Sequence, residues 1–221
     1  MSRFINNSLY RPEIFLSKMP LWNTQINGYP VSVIFWNFLL AALAIWVTYW
    51  LVSFLRLKQK KYIAIILLSI AWLLLAPNTA YLLTDARHII GFCPSYEFGN
   101  VCASNAWMVI FFFAFAAGGW LSFVWVLRPL RLVFLEIHGV VASWVFILSI
   151  IPVMALGVLL GLVNRWNSWE VFTDPLGIFY TILTYVTDLT YLMNWLIISV
   201  LFYILYFSGE KLFKEFKWEQ K

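Results

Sequence analysis

Five stretches of this chain are apolar over about 20 residues or more, the length a helix needs to cross the hydrocarbon core of a bilayer. Inside that core a helix bonds all of its own backbone groups, which lipid cannot do for it. The stretches run from Val31 to Leu57, Tyr62 to about Leu83, Trp107 to Leu127, roughly Val140 to Val163, and within Leu176 to Phe207. As one straight helix the last would be about 48 Å long, more than the core is thick. Its first part is therefore expected in the outer interface or folded back, with the span itself at about 186–207.

Composition agrees with this reading. Hydrophobic residues make up 63% of the chain and charged residues 11%, where soluble domains carry about 25% charged residues. No soluble fold covers that much apolar surface, and no polar block is long enough for a second domain. The expected architecture is all-α, a polytopic integral membrane bundle of about five transmembrane helices. Residues 1–30 form an extracytoplasmic N-terminal segment with a short amphipathic stretch near Ile14 to Met19, 31–208 the transmembrane domain, and 209–221 a basic cytoplasmic tail. Nothing before the first run resembles a signal-peptide core, so the first span is expected to do the targeting.

Orientation follows from the basic residues. With the N-terminus outside, Arg56, Lys58, Lys60, Lys61, Arg128, Arg131, Lys211, Lys214, Lys217 and Lys221 lie inside, and Arg3, Arg11, Lys18, Arg87 and Arg165 outside. That is ten of the 15 Lys and Arg on the inner side, with the densest cluster between the first two spans, so N-out and C-in is expected. The net charge of +5 is thereby topological, with no basic face for nucleic acid. Trp36, Trp50, Trp107, Trp166, Trp169 and Trp218, near the span ends, read as an interfacial aromatic belt. Gly118 and Gly119 in the third span and Gly157 and Gly161 in the fourth allow close helix approach within the bundle.

A few polar residues interrupt the apolar pattern. Pro77 frees the carbonyl of Leu73 and predicts a kink that Asn78 is placed to mend. At 100° per residue Asn78, Tyr81, Asp85 and His88 share an arc of about 80°, a stripe carrying an amide, a phenol, a carboxylate and an imidazole. Read one by one they mend the kink, cap the helix and sit in solvent. Read as a set they suggest a bundle interior or wet cavity, because ionisable groups at membrane depth are costly. Arg165 falls on the same outer side, where it can pair with Asp85, clamp an anion such as a lipid phosphate, or simply anchor the helix among Trp166 and Trp169. Asn167 and Ser168 add short hydrogen-bonding groups. Asp188 completes a helical-spacing stripe with Thr184, Tyr191 and Trp195 near the outer interface. An ion pair of Arg165 with Asp85 or Asp188 would need no ligand, and the side chains of Asp85 and Arg165 are expected to meet, directly or through one water, under the outer headgroups.

Cys93 and Cys102 share the outer loop after the second span and are spaced to close a short disulfide loop in an oxidising exterior, worth about 2 to 3 kcal/mol. No metal site is expected, since two Cys without a second pair do not bind zinc and His88 and His138 lie a bilayer apart. No cofactor motif, nucleophile elbow or phosphate-cradling loop is present.

The segments FWNFLLA at Trp36, WLLLAPNTAYLLTD at Pro77 and RWNSWEVFTDPL at Arg165 resemble a bacterial membrane family known as domain of unknown function 1361. The resemblance covers most of the chain from the first span to the start of the last. Where the family has LPN this chain has Ala76, Pro77 and Asn78. Where the family has Tyr-Leu-Gly-Arg it has Leu159, Leu160, Gly161 and Leu162, so one family Arg is missing. The family's WYD after the outer loop is absent, with Asn105, Ala106 and Trp107 standing near there. The resemblance implies the architecture and a setting in the bacterial cell membrane, and no activity.

Three functional readings follow, in order. The first is a non-catalytic subunit or accessory factor that binds membrane lipids or a protein partner through its outer face. The alternative is an envelope enzyme acting on a lipid-linked or anionic substrate at the outer leaflet, with His88 or Asp85 as general base and Arg165 holding the anion. The weakest is a small transporter lined by Asp85 and Asp188.

Overall fold

The computed structural model describes residues 25–26, 29–57, 61–86 and 106–215. They are almost entirely helical. After a minimal antiparallel hairpin, β1 (Gln25–Ile26) and β2 (Tyr29–Pro30), come α1 (Val31–Arg56), α2 (Tyr62–Leu75) and α3 (Pro77–Tyr81). Then follow α4 (Ala106–Leu162), α5 (Glu170–Thr173), α6 (Pro175–Thr187) and α7 (Leu189–Glu215). The hydropathy of α1, of 62–86, of α4 and of α7 suits each to crossing a membrane. α4 is a helical hairpin folded at Gly139, whose φ of 83° and ψ of −177° interrupt the helix. A Cβ there would touch nothing, so it is the backbone angles that call for glycine. The two arms, 106–138 and 140–162, are about 50 Å and about 34 Å long and each can span. Counting the α4 arms separately, the described residues hold five helices long and apolar enough to span.

The first arm runs well past Leu127, so Arg128, Pro129, Arg131 and Glu136 lie on a helix rather than in a connection. Pro129 costs one backbone hydrogen bond but does not end the helix, because Leu130 and Val133 beyond it continue the buried face. The final span also differs from its expected limits. α6 ends at Thr187, Asp188 is extended (φ −97°, ψ 124°), and α7 continues as helix to Glu215, into the expected tail.

The hairpin arms form the centre of the core, through residues such as Phe123, Leu127, Ile151 and Met154. α1 contributes Ala44, Val47 and Leu51, the second helix Trp72, Ala76 and Ala80, and α7 Phe202 and Tyr206. Lipid is as apolar as these side chains, so close packing and interhelical hydrogen bonds hold the helices together. Indole and phenol donors do much of this. Trp72 Nε1 donates to Thr48 Oγ1 at 2.9 Å, Trp120 Nε1 to the Leu205 carbonyl at 2.7 Å, and Trp195 Nε1 to the Pro152 carbonyl at 2.8 Å. Pro152 leaves the carbonyl of Leu148 without its helical donor, and the Tyr203 hydroxyl supplies one at 2.5 Å.

Two glycines let the kinked second helix sit between the arms. A Cβ at Gly119 would stand 2.6 Å from Leu82 Cβ and 3.1 Å from the Thr79 carbonyl oxygen, and one at Gly157 would stand 2.8 Å from Pro77 Cγ. Gly118, next in sequence to Gly119, faces open space. The close approach is thus internal to the bundle.

Candidate functional site

The chain alternates between two ends of the bundle. One carries Pro77 to Ala86, the connection 163–174, α5, α6 and Asp188; the other carries Arg56, Lys61, the tip of the α4 hairpin and the end of α7. The first is called the polar end and the second the basic end.

At the polar end the helix is interrupted where Pro77 predicts a kink. Ala76 occupies a turn between α2 and α3, and the side chain of Asn78 reaches back to the Leu75 carbonyl at 3.1 Å and the Leu74 carbonyl at 3.3 Å. Ser168, from the connection after α4, donates to the same Leu74 carbonyl at 2.7 Å and lies 3.3 Å from Asn78 Nδ2. Asn78 and Ser168 therefore meet, and what they do together is bond the Leu74 and Leu75 carbonyls, not the Leu73 carbonyl that Pro77 deprives of its helical donor. Tyr81 lies over Gly161, where a Cβ would be 3.3 Å from its ring.

Residues 82–86 wind as a 3₁₀ helix, which advances about 120° per residue instead of 100° and shifts Asp85 by about 60° relative to Asn78. The two side chains find different partners. Asp85 is 1% exposed and its carboxylate accepts a hydrogen bond of 2.7 Å from Asn37 Nδ2 on α1. No ion pair joins Asp85 to Arg165 among the described residues, contrary to one arrangement expected from sequence. His88, Cys93 and Cys102 lie outside the described residues, as does the stretch Ile14 to Met19.

Arg165 has an unusual backbone. At φ 60° it is the one non-glycine residue with positive φ among those described, in a reversal closed by the Trp166 N–H donating to the Leu160 carbonyl at 3.0 Å. Helix ends commonly place glycine or asparagine in this conformation, because a side chain there costs roughly 1 to 2 kcal/mol. The residue is exposed, and among the described residues its side chain makes no hydrogen bond or ion pair. Around it the connection is tightly tied. Trp166 Nε1 donates to Thr181 Oγ1 at 3.1 Å, Tyr185 OH donates to Asn164 Oδ1 at 3.0 Å, and Trp169 meets Trp36 edge-on at 6.3 Å. Asn167 gives its backbone N–H to Glu170 Oε2 at 2.6 Å. Burial, and then Tyr191 beside it, push the Tyr185 phenol up to about 12, so it remains a donor at ordinary pH.

Asp188 is an N-cap. Its Oδ1 accepts from the backbone N–H of Thr190 at 2.8 Å and of Tyr191 at 3.3 Å, at the first turn of α7. The helical spacing through Thr184, Asp188, Tyr191 and Trp195 fails because the helix is interrupted at Asp188 itself.

Several residues of these clusters carry no local signal. Asn37 stands as the single amide within FWNFLLA, and its polarity in an apolar run marks it without naming its partner. At the basic end Arg131 ion-pairs with Glu210 between the first arm of α4 and α7, under the ring of Trp144 at 4.9 Å, while Lys214 lies 3.3 Å from the same carboxylate. Arg56 and Glu136 make a more exposed bidentate pair at 2.8 Å and 3.1 Å. Among the described residues no three His, Cys, Asp or Glu side chains come together as a metal site would need.

Long apolar helices, buried polar stitching and interhelical aromatic donors define a multi-pass α-helical membrane protein. Within that class the chain belongs to the family described as protein of unknown function DUF1361, whose sequence model matches residues 36–206. No curated protein and no solved structure matches it.

Proposed function

We propose that this protein is a binding or accessory factor of the bacterial cell membrane, oriented with the polar end outward, and that Arg165 offers a cation there to an anionic group of a lipid or partner. One observation carries the reading. Arg165 holds a left-handed backbone position that glycine would occupy with less strain, and its guanidinium is left unpaired by the described residues. Five other polar candidates among the described residues have internal tasks: Asn78 and Ser168 next to Pro77, Asn167 with Glu170, Asp188 at the start of α7, and Asp85 with Asn37. A catalytic reading with Asp85 as general base would need its carboxylate to reach substrate, and Asp85 is 1% exposed; the form with His88 as base falls outside the described residues. A transport path through Asp85 and Asp188 gains no support from an aspartate spent on capping.

Arg165→Gly separates function from structure. Glycine relieves the left-handed strain, so stability in detergent should hold or rise by up to about 1 kcal/mol. Anionic lipid or partner recovered with the purified protein, read by native mass spectrometry and crosslinking, should fall sharply. Undiminished recovery with Arg165→Gly would refute the reading.

A further inference from the structure

The two sides of α7 differ in what covers them. Trp195, which bonds the Pro152 carbonyl, Phe202, which meets Phe123, and Tyr206 turn toward the α4 hairpin. On the opposite side Thr190, Asn194, Ile197, Leu201, Ile204 and Ser208 are exposed. At 100° per residue they fall within an arc of about 80°. Their spacing alternates between four and three, the repeat by which two helices pack side by side at a left-handed crossing of about 20°. The row is about 27 Å long, so it follows most of the thickness of a hydrocarbon core.

Lipid alone does not account for Asn194. It lies within the stretch 189–214 whose hydropathy suits it to crossing a membrane. Leu189, Met193, Leu196 and Ile197 around it are exposed by 72%, 50%, 51% and 53%. Its Nδ2 donates to the Thr190 carbonyl one turn earlier at 2.8 Å, which uses one of its two N–H groups. Among the described residues the other N–H and Oδ1 have no partner, and acyl chains offer none. An amide on the outer face of a spanning helix can bond across to a neighbouring helix.

The row also fits one kind of neighbour. Two copies of a chain insert with the same orientation, so their α7 helices would pair in parallel about a two-fold axis normal to the membrane, with each residue opposite itself. An amide satisfies its own copy, because the remaining N–H of each can donate to the Oδ1 of the other. Self-pairing disfavours charge, and residues 189–208 carry none. Lys211, next along the row, follows the apolar run, where its ammonium can turn to headgroups.

We propose that α7 is the contact of a parallel homodimer, its register fixed by reciprocal hydrogen bonds between the two Asn194 amides. The inference goes beyond the reading of Arg165 and does not depend on it.

The test uses full-length protein labelled at the C-terminus with a donor or an acceptor fluorophore. The two preparations are reconstituted together in liposomes, and energy transfer is followed as lipid is added. Transfer should fit a reversible dimer. Asn194→Leu should shift half-association about tenfold toward higher protein per lipid, as loss of two weak interhelical bonds would give, and Asn194→Gln should shift it less. Leu196→Ala, as exposed as the row but about 120° round the helix from its centre, should leave association unchanged. The thermal midpoint of Asn194→Leu in detergent should match the parent, since the amide bonds only its own helix. Absence of transfer at every protein-to-lipid ratio, association unmoved by Asn194→Leu, or an equal loss in Leu196→Ala would overturn the proposal. Crosslinking from a photoreactive residue at position 197 to a different protein, with no self-crosslink, would assign the face to that partner and also overturn it.

Discussion

Gly118 and Gly119 are neighbours on one helix, and an alanine at each probes opposite surroundings. In a helix interior the change from glycine to alanine stabilises by roughly 0.5 to 1 kcal/mol, because the unfolded chain has less freedom to lose. At Gly118 a Cβ meets nothing within 4 Å, so that gain should appear undiminished. At Gly119 the Cβ would lie 2.6 Å from Leu82 Cβ, 3.1 Å from the Thr79 carbonyl oxygen and 3.2 Å from the Leu83 amide nitrogen. Two of these are backbone atoms of the segment packed behind the Pro77 kink, and the third is a Cβ fixed to it, so no flexible side-chain end can move aside. Such overpacking costs about 1 to 3 kcal/mol. The cost exceeds the helical gain, which both variants share, and Gly119→Ala should be less stable than Gly118→Ala by about 1 to 3 kcal/mol. Reversible unfolding in mixed micelles, followed by tryptophan fluorescence, measures the difference. Equal stability of the two variants would refute the packing of the kinked segment against the first arm of α4.

Tyr203→Phe removes the donor to the carbonyl that Pro152 exposes, and should cost about 1 kcal/mol. In a Pro152→Ala background the helix supplies its own donor, so a double-mutant cycle should show most of that cost gone. Neutralising Glu210 alone by Glu210→Gln leaves Arg131 without its buried partner and should destabilise by roughly 3 kcal/mol or more, with Arg131→Met added to it restoring much of the loss. Unfolding midpoints of the two singles and the double check this. Asp188→Ala should cost about 1 kcal/mol through loss of the α7 cap, with hydrogen exchange rising at Thr190 and Tyr191.

Hydropathy and breaker residues carry the architecture, and this is why the spans, the kink at Pro77 and the close approach at Gly157 were legible from sequence. Each depends on a property of one segment. The 3₁₀ winding of 82–86, which packs Leu82 and Leu83 against Gly119, carries no periodic signal of its own. Pairings between distant segments are equally silent: Asn37 with Asp85 and Arg131 with Glu210 lie 48 and 79 residues apart. The continuation of the first α4 arm past Leu127 is masked in the sequence because a proline and two arginines resemble a loop, although Leu130 and Val133 keep the buried face going. Of the candidate site, Arg165 was identifiable as an interfacial cation. Its left-handed backbone was not, since nothing in the residue types of Asn164 to Asn167 demands it.

The most direct test of the binding account is an experimental density map of the full-length protein in native-lipid nanodiscs. The account predicts headgroup density against the Arg165 guanidinium at the polar end, with the Asp85 to Asn37 hydrogen bond intact and no ligand between α1 and residues 82–86. Density for a bound molecule at Asp85 with Asn37 displaced, and none at Arg165, would contradict it and move the working site into the bundle.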